Sequence, residues 1–365
     1  MAKQNEYTPD SVYHPGETLA ERLEELNMGS KEFAIKTGKP EKTISQLLHG
    51  ASAITPEMAV LFEKVLKIPA QFWLERQNNY DIAIARAKRE ADLKKEIDWI
   101  KNIPYANMAK LGWVPKTSKP LEKLEHTFAY FGVSNVTGFN AYYMNQRVPV
   151  SFRISLSNTK KPWAFAAWLR QGELQADKLK AVPYHKTSLL EALPQLKAIM
   201  ASHPANFFEQ VREICSCAGV KVVYTPCLTG AAVHGSTRWI GDTPIIQLSA
   251  RYKQNDIFWF TFFHELAHIL KHGKKYVALE NVDYDEEEQL KEQEADDFAI
   301  EWTFSKKEEA EVMRQEIIYL EDIITFAKKF GTHPAMIIGR FHHKKLLPYS
   351  LGREFIKPID LSEYE

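Results

Sequence analysis

From about Asp256 to His272 the sequence is strongly apolar, and the run stops at Gly273, a residue suited to ending a helix. His264, Glu265 and His268 stand inside that run, away from its ends. Two imidazoles and a carboxylate buried on an apolar helix must find partners, because an unsatisfied polar group there is costly. No other feature constrains the fold as much. In a helix His264 and His268 lie about 40° apart and one turn apart, so both rings can reach a single metal ion. Glu265, about 100° round the helix, can face water held at such an ion. Two structural core histidines are the plainer account, but they leave the same three groups to satisfy.

Zinc held by two histidines needs a third protein ligand and an open fourth position. His272 continues the stripe, but at a rise of about 1.5 Å per residue it lies about 12 Å along the axis from His264. It is therefore not expected to share a coordination sphere with both. The stretch 280–301 carries eleven Asp or Glu against the single Lys291 and is the better source. Within it Ala295, Phe298, Ala299 and Trp302 form an apolar stripe. Glu292 shares a face with Ala295, Asp296 and Ala299, at i+3, i+4 and i+7. Glu294 points about 200° away from Glu292, so one of the two, not both, can be the ligand. The acids from Asp283 to Glu288 are read as a solvated loop and helix start.

A second constellation lies near the N-terminus. Short helical patterns fill residues 14–90, with Leu19, Leu23 and Leu26 at helical spacing and Thr55-Pro56-Glu57 marking a helix start. Ala34, Gly38 and Ile44 stand where a helix-turn-helix needs a small residue, a tight turn and a branched plug. The second of these helices, roughly Pro40 to His49, turns Ile44, Leu47 and Leu48 inward. Its other side carries Lys42, Gln46 and His49, flanked by Thr43 and Ser45, which are donors and acceptors suited to base edges and phosphates. Residues 1–90 hold 12 Lys or Arg against 13 Asp or Glu, which suits a plain helical cluster as well, so any DNA contact must come from the local group Lys31, Lys36, Lys39 and Lys42.

The whole chain, 365 residues, is too long for one ordinary core. Its 47 basic and 47 acidic residues cancel, which excludes a uniformly basic nucleic-acid coat protein or a polyacidic tail. Three cysteines, Cys215, Cys217 and Cys227, form no CxxC pair and point to neither a disulfide framework nor a cysteine zinc site. The opening MAKQNEYTPD has no signal-peptide core, and no apolar run is long enough to span a bilayer. A cytoplasmic protein without a membrane partner is expected. Residues 91–210 mix helical and strand signals, including an alternating strand candidate at Phe152–Leu156 and an apolar helix around Trp163 to Leu169. Beyond them, a helix from Phe207 to Cys217 precedes strands at Gly219–Tyr224 and Pro244–Leu248.

The segment from His14 to Arg86, including Phe72-Trp73-Leu74 and Tyr80-Asp81, resembles the XRE-type repressor domain of HigA-like antitoxins. That resemblance implies a homodimer reading a palindromic double-stranded DNA operator. The pattern Glu292-x-x-Ala295-Asp296 resembles the ExxAD of gluzincin proteases. It implies Glu292 as a zinc ligand and Asp296 as the carboxylate that steadies a zinc-bound histidine. More broadly, Gly235-x-x-Arg238-Trp239, Ile246-Gln247-Leu248-Ser249, Phe258-Trp259-Phe260, FFHELAHILKHG and Glu292 to Ala299 are similar to ImmA/IrrE metallopeptidase domains. Gly331-x-His333-Pro334 and Ile338-Gly339-Arg340 resemble the tail of such domains when they follow an XRE repressor. Ala267 stands where glycine is more usual.

The expected fold is α+β: an all-α helix-turn-helix domain (1–90), a linker or intermediate helical region (91–200), a mainly helical zincin-like metallopeptidase domain with a small sheet (201–345), and a C-terminal tail (346–365). The expected function is a DNA-binding transcriptional regulator carrying a Zn2+-dependent peptidase that acts on a repressor, or regulates a stress, mobile-element or toxin–antitoxin operon. Its site is His264, His268 and Glu292 on the metal, Glu265 as catalytic base and Asp296 in support, with Tyr276, His234 and Arg238 as oxyanion candidates by proximity in sequence. Two alternatives stand beside it. One is a HigA-like antitoxin or repressor, with or without a toxin partner, whose peptidase-like body performs no turnover. The other is a general metallopeptidase whose head merely dimerises.

Overall fold

A computed structural model describes residues 13–146, 161–231, 233–275, 278–279, 286–315 and 319–364. The strand candidate at Phe152–Leu156 and the oxyanion candidate Tyr276 lie outside these residues. The chain divides into two compact units, Met1–Ile97 and Asp98–Glu365. No helix among the described residues is long and apolar enough to cross a membrane.

The first unit is all helical: α1 (Pro15–Glu25), α2 (Ser30–Thr37), α3 (Glu41–Leu48), α4 (Pro56–Leu66) and α5 (Ala70–Lys95). Helices this short hold only by burying their apolar faces together. Leu19, Phe33, Ile44, Leu47, Phe62 and Trp73 are fully excluded from solvent. The starts and stops are chemical. His14 accepts from Gly16 N at 2.9 Å to cap α1, the Thr55 hydroxyl caps α4, and Gly38 closes α2 at φ 66°. α1 crosses α3 so closely that a Cβ on Gly16 would overlap the Leu47 carbonyl.

In the second unit three helices, α6 (Tyr105–Lys110), α7 (Pro120–Phe131) and α8 (Val136–Phe139), lead to α9 (Pro162–Ala176), α10 (Lys186–Ser202) and α11 (Phe207–Cys217). A four-stranded sheet follows, β1 (Lys221–Tyr224), β2 (Gly235–Ile240), β3 (Thr243–Leu248) and β4 (Ala278–Leu279), in the order β1-β3-β2-β4. β1 runs parallel to β3, with Lys221 opposite Ile245, while β2 pairs antiparallel with both β3 and β4. The anticipated strands correspond to β1 and β3. β2 between β3 and the edge was not anticipated as a strand.

The apolar run begins as α12 (Asn255–Ala267) and widens into a π-helical turn over His268–His272, which Gly273 ends at φ 67°. α13 (Glu286–Thr303), α14 (Lys306–Val312), α15 (Leu320–Phe330) and α16 (Pro334–His343) complete the unit. Its larger core joins α10, α11, β1 and α12 to α15 and α16 through Leu196, Val211, Phe262, Phe263, Ile323 and Phe341. A second core gathers α6, α7 and α9 around Met108, Phe131 and Trp168.

Where α12 and α16 meet α10, two histidines are half-buried. His203 accepts from Trp259 Nε1 at 3.0 Å, and His333 accepts from Ala335 N at 3.1 Å to cap α16. Burial, then the charges of His203 and Lys357, push the His333 imidazole down to about 4; burial and Lys357 also lower His203. The unfolded chain binds these protons near pH 6.5 and the folded chain resists them, so this stability is full above 6.5 and is lost as pH falls towards 4. Urea midpoints should therefore drop between pH 7 and pH 4.5. In His333→Asn, which keeps a cap acceptor, the accompanying fall in unfolding free energy should be smaller by about 1–2 kcal/mol. An unchanged pH dependence in that variant would refute the assignment.

Candidate metal centre

Two helices make the site. Ala295 and Ala299 of α13 are fully buried, and these small residues let it lie close against α12. Phe263 stacks on Trp302 at 6.4 Å, with the ring planes 4° apart. This packing brings His264, His268 and Glu292 together with one donor atom from each, all within 4.8 Å of one another. The two Nε2 atoms are 3.0 Å apart, and the Glu292 carboxylate lies 3.2 Å from His264 Nε2 and 3.6 Å from His268 Nε2. On the far side of the first ring, His264 Nδ1 meets Asp296 Oδ1 at 2.9 Å. Glu294 is not in this group; its Oε2 lies 3.0 Å from His272 Nε2.

Glu265 is completely buried beside the cluster. β2 makes the room for it. A Cβ on Gly235 would come within 2.6 Å of Glu265 Oε1, and the Thr237 hydroxyl donates to the Glu265 carbonyl at 3.0 Å. The side chain therefore owes its place to a strand as well as to its own helix.

The electrostatics favour a cation. Burial alone would lower His264, but the hydrogen bonds of Asp296 and Glu292 and the charge of Glu265 hold it well above the ordinary histidine value. Burial, then the neighbouring His264 and His272, push His268 well below that value. The cluster thus gathers three carboxylates around one positive imidazole. Two neutral Nε2 donors and a carboxylate in a buried setting are a donor set that zinc takes. A cation in place of the His264 Nε2 proton would keep the surrounding carboxylates compensated. The residues present fit a metal ion.

Arg238 has a different part from the oxyanion candidacy it was given. Its guanidinium is buried and donates to the Leu169 carbonyl, to Glu173 Oε1 at 3.2 Å and to Gln247 Oε1 at 3.3 Å. Gln247 in turn donates to the Trp168 carbonyl at 2.7 Å, and a Cβ on Gly172 would strike its amide. Arg238 therefore fastens the sheet to α9, in a network that sequence reasoning missed. The residue at the other end of the pair lies 65 positions upstream, in a stretch with no motif to mark it. His234, just before Gly235, sets its ring edge-on to Tyr252 at 5.2 Å. Burial, with the charge of Arg251, lowers its pKa.

On the first unit, Lys42, Gln46 and His49 are exposed and Thr43 and Ser45 half-buried, on the side of α3 away from Ile44 and Leu47. His49 Nδ1 lies 2.7 Å from the Ser45 carbonyl. Lys36 pairs with Glu32 and Lys39 with Glu57, whereas Lys31 and Lys42 form no ion pair among the described residues.

Truncating Arg238 leaves the buried Leu169 carbonyl and Gln247 Oε1 without their donor, at about 1–3 kcal/mol each, while Glu173 keeps Arg170 at 2.9 Å. Arg238→Ala should lower unfolding free energy by the two together. Glu173→Gln, at a more exposed position that can still accept, should cost less than half as much. Equal urea midpoints for wild type and Arg238→Ala would contradict this account of the sheet.

Comparison with known proteins divides along the same line. Residues 215–342 match the family model of the IrrE N-terminal-like domain, Peptidase_M78. The chain is 37% identical over 81 residues to the uncharacterized HTH-type transcriptional regulator YddM of Escherichia coli (strain K12), covering 22% of this chain and 84% of that protein. It is 38% identical over 72 residues to virulence-associated protein A of Dichelobacter nodosus, covering 19% of this chain and 71% of that one. Among solved structures, an addiction module antidote protein of the HigA family from Coxiella burnetii shares 35% identity. It covers 23% of this chain and 94% of its own, with a TM-score of 0.22. By its N-terminal similarity the chain belongs to the HTH-type transcriptional regulators, and residues 215–342 of its second unit match an IrrE N-terminal-like domain.

Proposed function

We propose that the chain is a cytoplasmic transcriptional regulator that binds a double-stranded DNA operator as a homodimer and whose second unit is a zinc-dependent peptidase. Its substrate on this reading is a protein controlling the same transcription, such as a repressor. The observation that carries the peptidase half is the packing of His264, His268 and Glu292 around one point with Glu265 buried beside them.

His264 and His268 offer Nε2 and Glu292 its carboxylate, while Asp296 fixes the His264 ring through Nδ1. When bound there, zinc supplies Lewis acidity that polarises a peptide carbonyl and acidifies water. Glu265 holds the proton taken from the attacking water and delivers it to the leaving nitrogen as the C–N bond breaks. Gly235 and Thr237 keep that carboxylate in reach. For the DNA half, on this reading, Lys42 takes phosphate, and Gln46, Thr43, Ser45 and His49 take base edges.

Protein purified without chelator should hold one zinc per chain, and His264→Ala none. Glu265→Gln should keep the zinc and lose peptide hydrolysis and any regulatory output. An unchanged output in Glu265→Gln would instead favour an antitoxin-like repressor whose body performs no turnover. In gel shifts on DNA upstream of its own gene, Lys42→Ala should weaken binding to every sequence alike. Gln46→Ala should lose about 1–3 kcal/mol of discrimination. No sequence-specific shift by the wild type would leave a peptidase whose head only dimerises.

A further inference from the structure

The two paired imidazoles differ in what faces the nitrogen turned away from the cluster. His264 presents Nδ1 to a carboxylate, that of Asp296. His268 presents Nδ1 to another imidazole, with His272 Nδ1 2.9 Å away. His272 is half-buried as a residue, with its side chain only 4% exposed, and its Nε2 reaches Glu294 Oε2 at 3.0 Å. Both histidines lie in the π-helical turn at the end of α12, and Glu294 comes from α13, two residues from Glu292.

A neutral imidazole has one N–H and one acceptor nitrogen, so two facing Nδ1 atoms need one proton between them. If His268 Nε2 is to hold a metal ion, the proton must sit on His268 Nδ1, and His272 Nδ1 must accept it. The proton of His272 is then on Nε2 and donates to Glu294, whose ionised carboxylate can only accept. Each contact fixes the direction of the next, and this assignment satisfies all of them.

We propose that His272 and Glu294 form a hydrogen-bond relay that locks His268 in the Nδ1–H tautomer and so presents Nε2 as a ligand. Both are positioning residues. This rests on the metal reading of His264, His268 and Glu292, and it gives the second histidine the orienting carboxylate that Asp296 gives the first. Glu294 serves at the outer end of the stripe and not as a metal ligand.

The test is zinc affinity of the full chain, measured by competition with a chromophoric chelator, with the cobalt(II) absorption spectrum as a report on ligand geometry. His272→Leu should bind one zinc about ten- to a hundredfold more weakly. His272→Asn, whose Oδ1 can accept from His268 Nδ1–H, should recover most of the affinity and the wild-type cobalt spectrum. Glu294→Gln should weaken binding in the wild type and have no further effect in the His272→Asn background. Wild-type affinity in His272→Leu overturns the relay, and so does His272→Asn binding as poorly as His272→Leu. Loss of stoichiometric zinc in Glu294→Gln but not in Glu292→Gln would make Glu294 the ligand and also overturn it. A wild-type chain that binds no zinc fails the metal reading itself, and the relay with it.

Discussion

Placing His264, Glu265 and His268 on a helix that is otherwise core obliges the rest of the second unit to answer three polar side chains at once. α13 answers the first ring with Asp296 and Glu292, and the second with Glu292. β2 answers Glu265 by leaving out a side chain at Gly235. The acidic face and the small-residue face of α13 are one device. Ala295 and Ala299 permit the approach that lets the carboxylates between and beside them reach the imidazoles.

The same logic recurs in the sheet. Thr237 and Arg238 are buried although polar, because each has fixed hydrogen-bond partners. Thr237 ties β2 to the carbonyl of Glu265, and Arg238 ties it to α9. The strand that makes room for the buried carboxylate is therefore held from both sides. Rigidity of this kind is what a site needs if a proton is to move at one chosen oxygen.

Much of this was legible because it is local. Helix starts and stops announce themselves through Gly38, Thr55-Pro56 and Gly273, and the spacings of His264, His268, Glu292 and Asp296 are properties of single helices. β2 was missed as a strand because Ser236-Thr237-Arg238 has no apolar alternation; those residues are buried by partners far away in sequence. Arg238 was misplaced for the same reason, since proximity in sequence says nothing of Leu169 and Glu173. His272 was judged by its distance along the axis from His264. That arithmetic bears on sharing a coordination sphere, but not on hydrogen bonding to the back of the neighbouring ring. In the head the inward set Ile44 and Leu47 was readable from periodicity, and the outward set followed from it.

The attachment of β2 to α9 also bears on where this molecule can be cut. The segment that sequence similarity picks out begins at residue 215, yet the groups that satisfy Arg238 and Gln247 lie at 168–173, and α10 covers one side of the main core. Ile359 and Leu361, beyond the other end of the match, belong to that core as well. The stretch that kinship marks is thus shorter than the stretch that can stand alone. A fragment trimmed to the former would carry a stranded guanidinium and a bare apolar wall into solution.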